Sequence, residues 1–194
     1  MPSKISGQID EIGRNIEEFA SYEVRVEAMA GRENIRASST PAEIAEWTRT
    51  TMERLDRLTD PATRAQIMRN CGYNCILVNP RPLVNAQMRR AKFPTEEAFL
   101  ETEIKKPPRG MRFERQGDIL VQYYTPHAFG AGMRCYCALM RGLPADQAAS
   151  LTYCECSRGF IEKYWEGVLG RPVRVDLLES SIAGAEECKF SIHL

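Results

Sequence analysis

Apolar residues recur at helical spacing through the first third of the chain. Ile5, Ile9, Ile12, Ile16 and Phe19 fall four and three apart, so they share one stripe of an amphipathic helix that must pack on something. A second helix is announced by Thr40-Pro41-Ala42-Glu43, which combines a side-chain cap, a proline at the first helical position and a glutamate that can reach back to the cap. Ile44, Trp47, Thr51 or Met52, Leu55 and Leu58 then line one face of that helix. Asp60-Pro61 repeats the start signal and opens a third helix toward Met68, with Gly72 as its expected end. Prolines at positions 80, 82, 94, 107 and 108 break up the following stretch around two short helical patterns, Leu83 to Ala91 and Thr95 to Ile104. An irregular helical connection is expected there.

The period then shortens from helical to alternating. Met111 to Arg115 and Asp118 to Tyr124 are strand candidates with Gln116-Gly117 as a tight turn, which predicts a hairpin. Ser157 to Leu169 returns to helical spacing, with Phe160, Tyr164, Trp165 and Val168 on one face and Gly170 as its stop. Val173 to Leu177 and Cys188 to Ile192 alternate as two further strands. The pattern predicts an α+β fold in which N-terminal helices are followed by an antiparallel sheet with a packed helix. One domain over 1–194 is expected, mainly helical over 1–110 and sheet-bearing over 111–194.

The 194 residues carry 26 basic and 26 acidic side chains, so no large net field draws the chain to nucleic acid. Met1 to Ile16 is polar and charged where a secretory leader would need an apolar run, and no later run reaches membrane-spanning length. A soluble cytoplasmic protein with neither nucleic acid nor membrane as partner is expected. In that compartment cysteines persist as thiols or metal thiolates, and an odd count of seven argues against a full disulfide framework.

Six of those seven cysteines come in close pairs: Cys71 with Cys75, Cys135 with Cys137, and Cys154 with Cys156, while Cys188 stands alone. Closely spaced sulfurs meet at little loop-closure cost, which suits metal ligation or redox pairing. In extended backbone each C-x-C pair would present two sulfurs to one side. Zinc is the default metal for such a set, with iron–sulfur or no metal as alternatives, although the spacings match no standard zinc or iron–sulfur signature. Cys71 and Cys75 read first as small core residues and only second as ligands.

His127 lies just past the hairpin on the approach to Cys135, and could serve as a ligand or as a base for a cysteine nucleophile. Gly130-Ala131-Gly132 lacks the strand-before, helix-after context of a phosphate loop. Tyr124, His127, Tyr136 and Tyr153 are candidates to line a ligand pocket, and the same aromatic residues would serve as core.

The stretch Tyr153-Cys154-Glu155-Cys156-Ser157-Arg158-Gly159-Phe160, then Gly170-Arg171-Pro172-Val173-Arg174-Val175, then Glu179, Gly184, Cys188 and Phe190 resembles the end of the vinyl-4-reductase-type ligand-binding domains. It also resembles the L-2-amino-thiazoline-4-carboxylic acid hydrolase-like family, and the Cys71-to-Cys75 and Cys135-Tyr136-Cys137 elements resemble those of an uncharacterised relative. The resemblance implies an α+β domain that binds a small molecule, in some members as a homodimer, with a structural zinc near its end. It implies Cys154 or Cys156 and Cys188 as terminal ligands, with Glu179 as an oxygen ligand. This chain departs from the pattern in offering Ser180 or Ser181 where those domains place another cysteine, so a sulfur of Cys135 or Cys137 would have to replace it.

Two functions compete on these grounds, with a third behind them. The first is a cytosolic small-molecule-binding or sensing domain whose metal sits among Cys135, Cys137, Cys154, Cys156 and Cys188, with Cys71, Cys75 and Glu179 in second place. The second is a hydrolase of the amino-thiazoline type, in which a thiolate of the C-x-C pairs or a metal-bound water attacks and His127 or Glu155 moves the proton. A thiol redox protein is the third.

Overall fold

The computed structural model describes residues 4–194, with seven α-helices and a four-stranded antiparallel sheet among them. The Ile stripe forms the buried side of α1 (Lys4–Phe19), in which Ile9, Ile12 and Ile16 are buried. A short helix α2 (Tyr22–Ala28), capped by the Ser21 hydroxyl, turns the chain back. In α3 (Pro41–Leu58) the predicted capping box is present: the Glu43 amide donates to Thr40 Oγ1 at 3.3 Å, and the Thr40 amide donates to Glu43 Oε2 at 2.7 Å.

Asp60 caps α4 (Pro61–Val78) by accepting from the Ala62 and Thr63 amides at 2.9 and 3.1 Å. This helix does not end at Gly72 but continues to Val78. Gly72 is there for a different reason: a Cβ at this position would lie on the backbone carbonyl of Cys156, in α7 (Glu155–Leu169). A Cβ at Gly159 of α7 would likewise lie on the Arg69 carbonyl of α4. Two glycines thus let α4 and α7 approach to backbone contact, and a helix-interior glycine costs less than the clash it avoids. On its other side α4 meets α1 through a polar seam, in which Asn70 donates to Asn15 and both Asn74 and Asn15 donate to Glu11 Oε1. Burial pushes the Glu11 carboxyl up, but the hydrogen bonds from Asn74 and Asn15 and the Arg14 guanidinium outweigh it and leave the carboxyl below its usual value.

The two short helical patterns in the proline-rich stretch become α5 (Arg81–Arg90) and α6 (Glu96–Lys105). The hairpin of β1 (Met111–Gln116) and β2 (Ile119–Tyr124) turns at Gly117, whose φ of +62° needs glycine. The strands β3 (Arg174–Glu179) and β4 (Cys188–His193) complete a sheet of order β1-β2-β4-β3. Phe113, Gln122, Phe190 and Leu177 face one another across the four strands, and α7 covers this face by setting Trp165 edge-on to Phe113 at 5.9 Å. The buried side chains form two clusters. One joins α1, α3 and α4 to the 139–154 segment, and the other joins α5, α6 and α7 to the sheet. No helix is long and apolar enough to cross a membrane among the described residues.

Candidate functional site

The cysteines converge on the region where the two clusters meet. Cys71 and Cys75 lie one turn apart on α4, Cys154 ends the 3-10 turn Leu151–Cys154, Cys156 follows in the first turn of α7, and Cys188 begins β4. Cys135 and Cys137 come from the irregular 125–150 strap between β2 and the Leu151–Cys154 turn. None of the seven is joined in a disulfide.

Their chemistry is set by burial. Loss of water pushes the Cys154 thiol up to about 12, with Cys188 adding to the shift and a bond from Ser180 opposing it. Burial likewise holds Cys71, Cys135, Cys156 and Cys188 above the ordinary thiol value, and neighbouring sulfurs add to the effect at Cys71, Cys135 and Cys156. At neutral pH these groups are protonated.

Three of the sulfurs have hydrogen-bond partners of their own. Cys154 Sγ and Ser180 Oγ are 2.9 Å apart, the Ser181 amide donates to Cys188 Sγ at 3.4 Å, and Gln8 Nε2 donates to Cys137 Sγ at 3.8 Å. Among the described residues no group of three or more His, Cys, Asp or Glu is placed to hold a metal ion. That finding overturns the expected binding or sensing domain built around a zinc site of Cys135, Cys137, Cys154, Cys156 and Cys188. The physical reason lies in the backbone. The C-x-C argument requires extended chain, whereas 154–156 crosses from a 3-10 turn into a helix and its two sulfurs diverge. Glu179 also lies elsewhere, exposed at the end of β3 and 3.7 Å from Lys189 Nζ.

The hydrolase roles find no support in the geometry either. His127 is exposed on the Pro126–Phe129 turn, and no hydrogen bond joins it to Cys135 or Cys137. Glu155 is engaged by Arg158 at 3.3 Å and Arg69 at 3.8 Å. The aromatic candidates form core instead of a cavity wall. Tyr124 and Tyr153 are buried, and Tyr136 packs edge-on to both Tyr124 at 5.3 Å and Phe129 at 5.5 Å while donating to the Gly110 carbonyl. Two cavities lie away from these residues, one of about 310 Å³ beside Ile5, Ile9 and Arg32, the other of about 600 Å³ beside Trp47, Pro144 and Gln147. Arg32 of the first already donates to Ser6 at 2.9 Å and to the Ile35 carbonyl at 3.0 Å.

The outer face of the sheet carries a constellation that sequence reasoning missed. His193 Nε2 lies 2.8 Å from Asp176 Oδ2, with the Arg174 guanidinium against the imidazole and Arg158 Nη2 3.6 Å from the other carboxylate oxygen. Alternation in β3 and β4 puts Asp176 and His193 on one face, but only the register, with Arg174 opposite His193 and Asp176 opposite Ser191, makes them neighbours. The network is open to water and borders no cleft among those described, so it reads as a cross-strand charge network.

A comparison with curated proteins returns no match. A family model matches almost the whole chain, and nothing in that match connects it with the vinyl-4-reductase-type or amino-thiazoline families. Its description is a family of unknown function, DUF6144, it covers residues 4–194, and the chain belongs to that family.

Proposed function

We propose that this chain is a cytoplasmic, non-catalytic docking module that binds an acidic, apolar-faced segment of another protein at the corner between α4 and α5. The observation that carries the reading is four exposed large apolar side chains within one acid-free stretch of sequence. Leu77 and Val78 at the end of α4 are 70% and 83% exposed, and Val84 and Met88, one turn apart on α5, are 44% and 63% exposed. Large apolar side chains grouped in this way mark interaction surfaces far more often than isolated ones do.

Charge selects the partner. The chain has no net charge, yet 61–95 contains no Asp or Glu and six basic residues. Arg64, Arg69 and Arg89 are neutralised by Asp56, Glu155 and Glu103, while Arg81 and Lys92 make no ion pair among the described residues. Arg81, Val84 and Met88 follow one another at three- and four-residue steps along α5, and Lys92 lies in the turn just past its end, so a cation stands at each end of the apolar pair. An isologous second copy would bring these cations against their own counterparts with no acid between them, which disfavours a homodimer here. A helix with a leucine stripe flanked by glutamates meets both demands.

The test is fluorescence anisotropy with a labelled amphipathic peptide of that design, beside the same peptide with lysine in place of glutamate. The acidic peptide should bind with a Kd of roughly 1–100 µM that weakens with salt, and Met88→Asp should weaken it about tenfold or more. Equal binding of the two peptides, no binding of either, or preferential binding to phosphatidylserine vesicles would overturn the reading. So would a concentration-dependent dimer that Met88→Asp abolishes, because the occupant would then be a second copy.

A further inference from the structure

The 125–150 strap crosses the cysteine region with no helix longer than a single 3-10 turn, and one guanidinium ties its middle to its later part and to the turn before β4. Arg134 donates through Nη1 to the carbonyls of Pro144 at 3.0 Å and Gln147 at 2.5 Å, which closes the strap on itself. Through Nε and Nη2 it donates to the Ser181 carbonyl at 3.0 and 2.6 Å, which ties the strap to the Ser181–Ala183 turn before β4. Nearby, the Ala149 amide donates to the Ile182 carbonyl at 2.8 Å.

That anchored turn is also where two thiols sit. Cys154 meets the Ser180 hydroxyl and Cys188 accepts from the Ser181 amide, so both sulfurs contact residues adjacent to or at the position Arg134 holds. They are only 5% and 8% exposed. Cys71 is equally buried, at 6%, but it lies within α4 next to the Gly72 contact with α7 and far along the chain from the strap.

We propose that Arg134 is a latch, and that release of its carbonyl contacts lets the 127–138 part of the strap lift and exposes Cys154 and Cys188 to solvent while Leu139, Met140 and Leu143, the α4–α7 contact and Cys71 remain closed. A guanidinium bonded to several carbonyls is a set of charge-assisted hydrogen bonds concentrated on one side chain, and removing it strands those acceptors at once. Residues 127–138 of the strap bury no side chain fully, whereas Leu139, Met140 and Leu143 beyond them are core, so the 127–138 part has the profile of a segment that opens below the free energy of global unfolding.

The experiment is native-state thiol labelling of the full chain with a maleimide, quenched over time and mapped residue by residue by mass spectrometry, at several urea concentrations below the unfolding transition. In the unaltered protein Cys154 and Cys188 should label at rates nearly independent of urea, because a local opening exposes little surface, whereas Cys71 should accelerate with urea. Arg134→Gln should speed labelling of Cys154 and Cys188 by about tenfold or more and leave Cys71 unchanged. Arg134→Lys keeps the charge but cannot reach Gln147 and Ser181 together, so it should show the same selective acceleration and serves if the glutamine variant fails to fold. Equal acceleration of all three cysteines, unchanged rates in the folded variants, or a urea dependence of Cys154 as steep as that of Cys71 would overturn the proposal.

Discussion

The indole Nε1–H of Trp165 donates to the Oε1 of Gln122 at 2.9 Å, across the interface between α7 and the sheet, with both residues almost fully shielded from water. Trp165 is the largest fully buried side chain, so its single donor must be satisfied within the protein. Gln122→Leu keeps the bulk but leaves that N–H without a partner, and should cost about 1–3 kcal/mol. Urea unfolding followed by tryptophan fluorescence would show a lower midpoint with an unchanged slope. A midpoint within error of the parent would mean that another acceptor takes the indole.

The glycine contacts between α4 and α7 predict opposite outcomes for the same chemical change. Gly72→Ala and Gly159→Ala each place a methyl group on a facing backbone carbonyl that no side-chain rotation can move, and each should destabilise by about 1–3 kcal/mol or prevent folding. Gly7→Ala, inside α1 with nothing within 4 Å, should stabilise by up to about 1 kcal/mol through helix propensity alone. Thermal melts of the three variants side by side make the comparison. Tolerance at Gly72 or Gly159 would show that the helices are further apart than described.

The buried thiols make stability fall on the alkaline side. In the unfolded chain a thiol titrates near its ordinary value of about 8.5. In the folded chain burial holds Cys154 to about 12 and keeps Cys71, Cys135 and Cys156 protonated above the ordinary range as well. Between those limits the native state binds more protons than the unfolded state. The contribution is therefore intact below about pH 8.5 and is lost as pH rises from there toward 12, by at most about 1.4 kcal/mol per pH unit for each such thiol. Urea midpoints under reducing conditions should be level from pH 7 to 8 and decline by pH 10, with a shallower decline in Cys154→Ser. A midpoint that stays level through pH 10 would contradict the burial of these sulfurs.

Local signals in the sequence carried much of the architecture. The Ile stripe of α1, the Thr40 and Asp60 caps, the β1–β2 hairpin and the alternation of β4 all depend on residues within a few positions of one another, and the structure has each of them. The end of α4 was not legible, because Gly72 answers to Cys156 and nothing near Gly72 in the chain reports a partner more than eighty residues away. The cysteine region was legible as a neighbourhood but not as a geometry. Spacing brings sulfurs close, whereas the backbone states at 135–137 and 154–156 decide where they point, and those states depend on the strap and on the docking of α7. The exposed corner at Leu77, Val78, Val84 and Met88 was hidden for the opposite reason: these residues look like ordinary core residues until α4 and α5 are seen to leave them uncovered.

The arrangement of the cysteine region is therefore written largely in residues that contain no sulfur. Gly72 and Gly159 contribute neither charge nor a side-chain hydrogen bond, yet their bare backbones set the crossing of α4 and α7 and with it the depth at which Cys71 and Cys156 lie. A descendant of this sequence could lose one cysteine to alanine and keep the region's shape. One that kept all seven cysteines and gained a single methyl group at either crossing point would not.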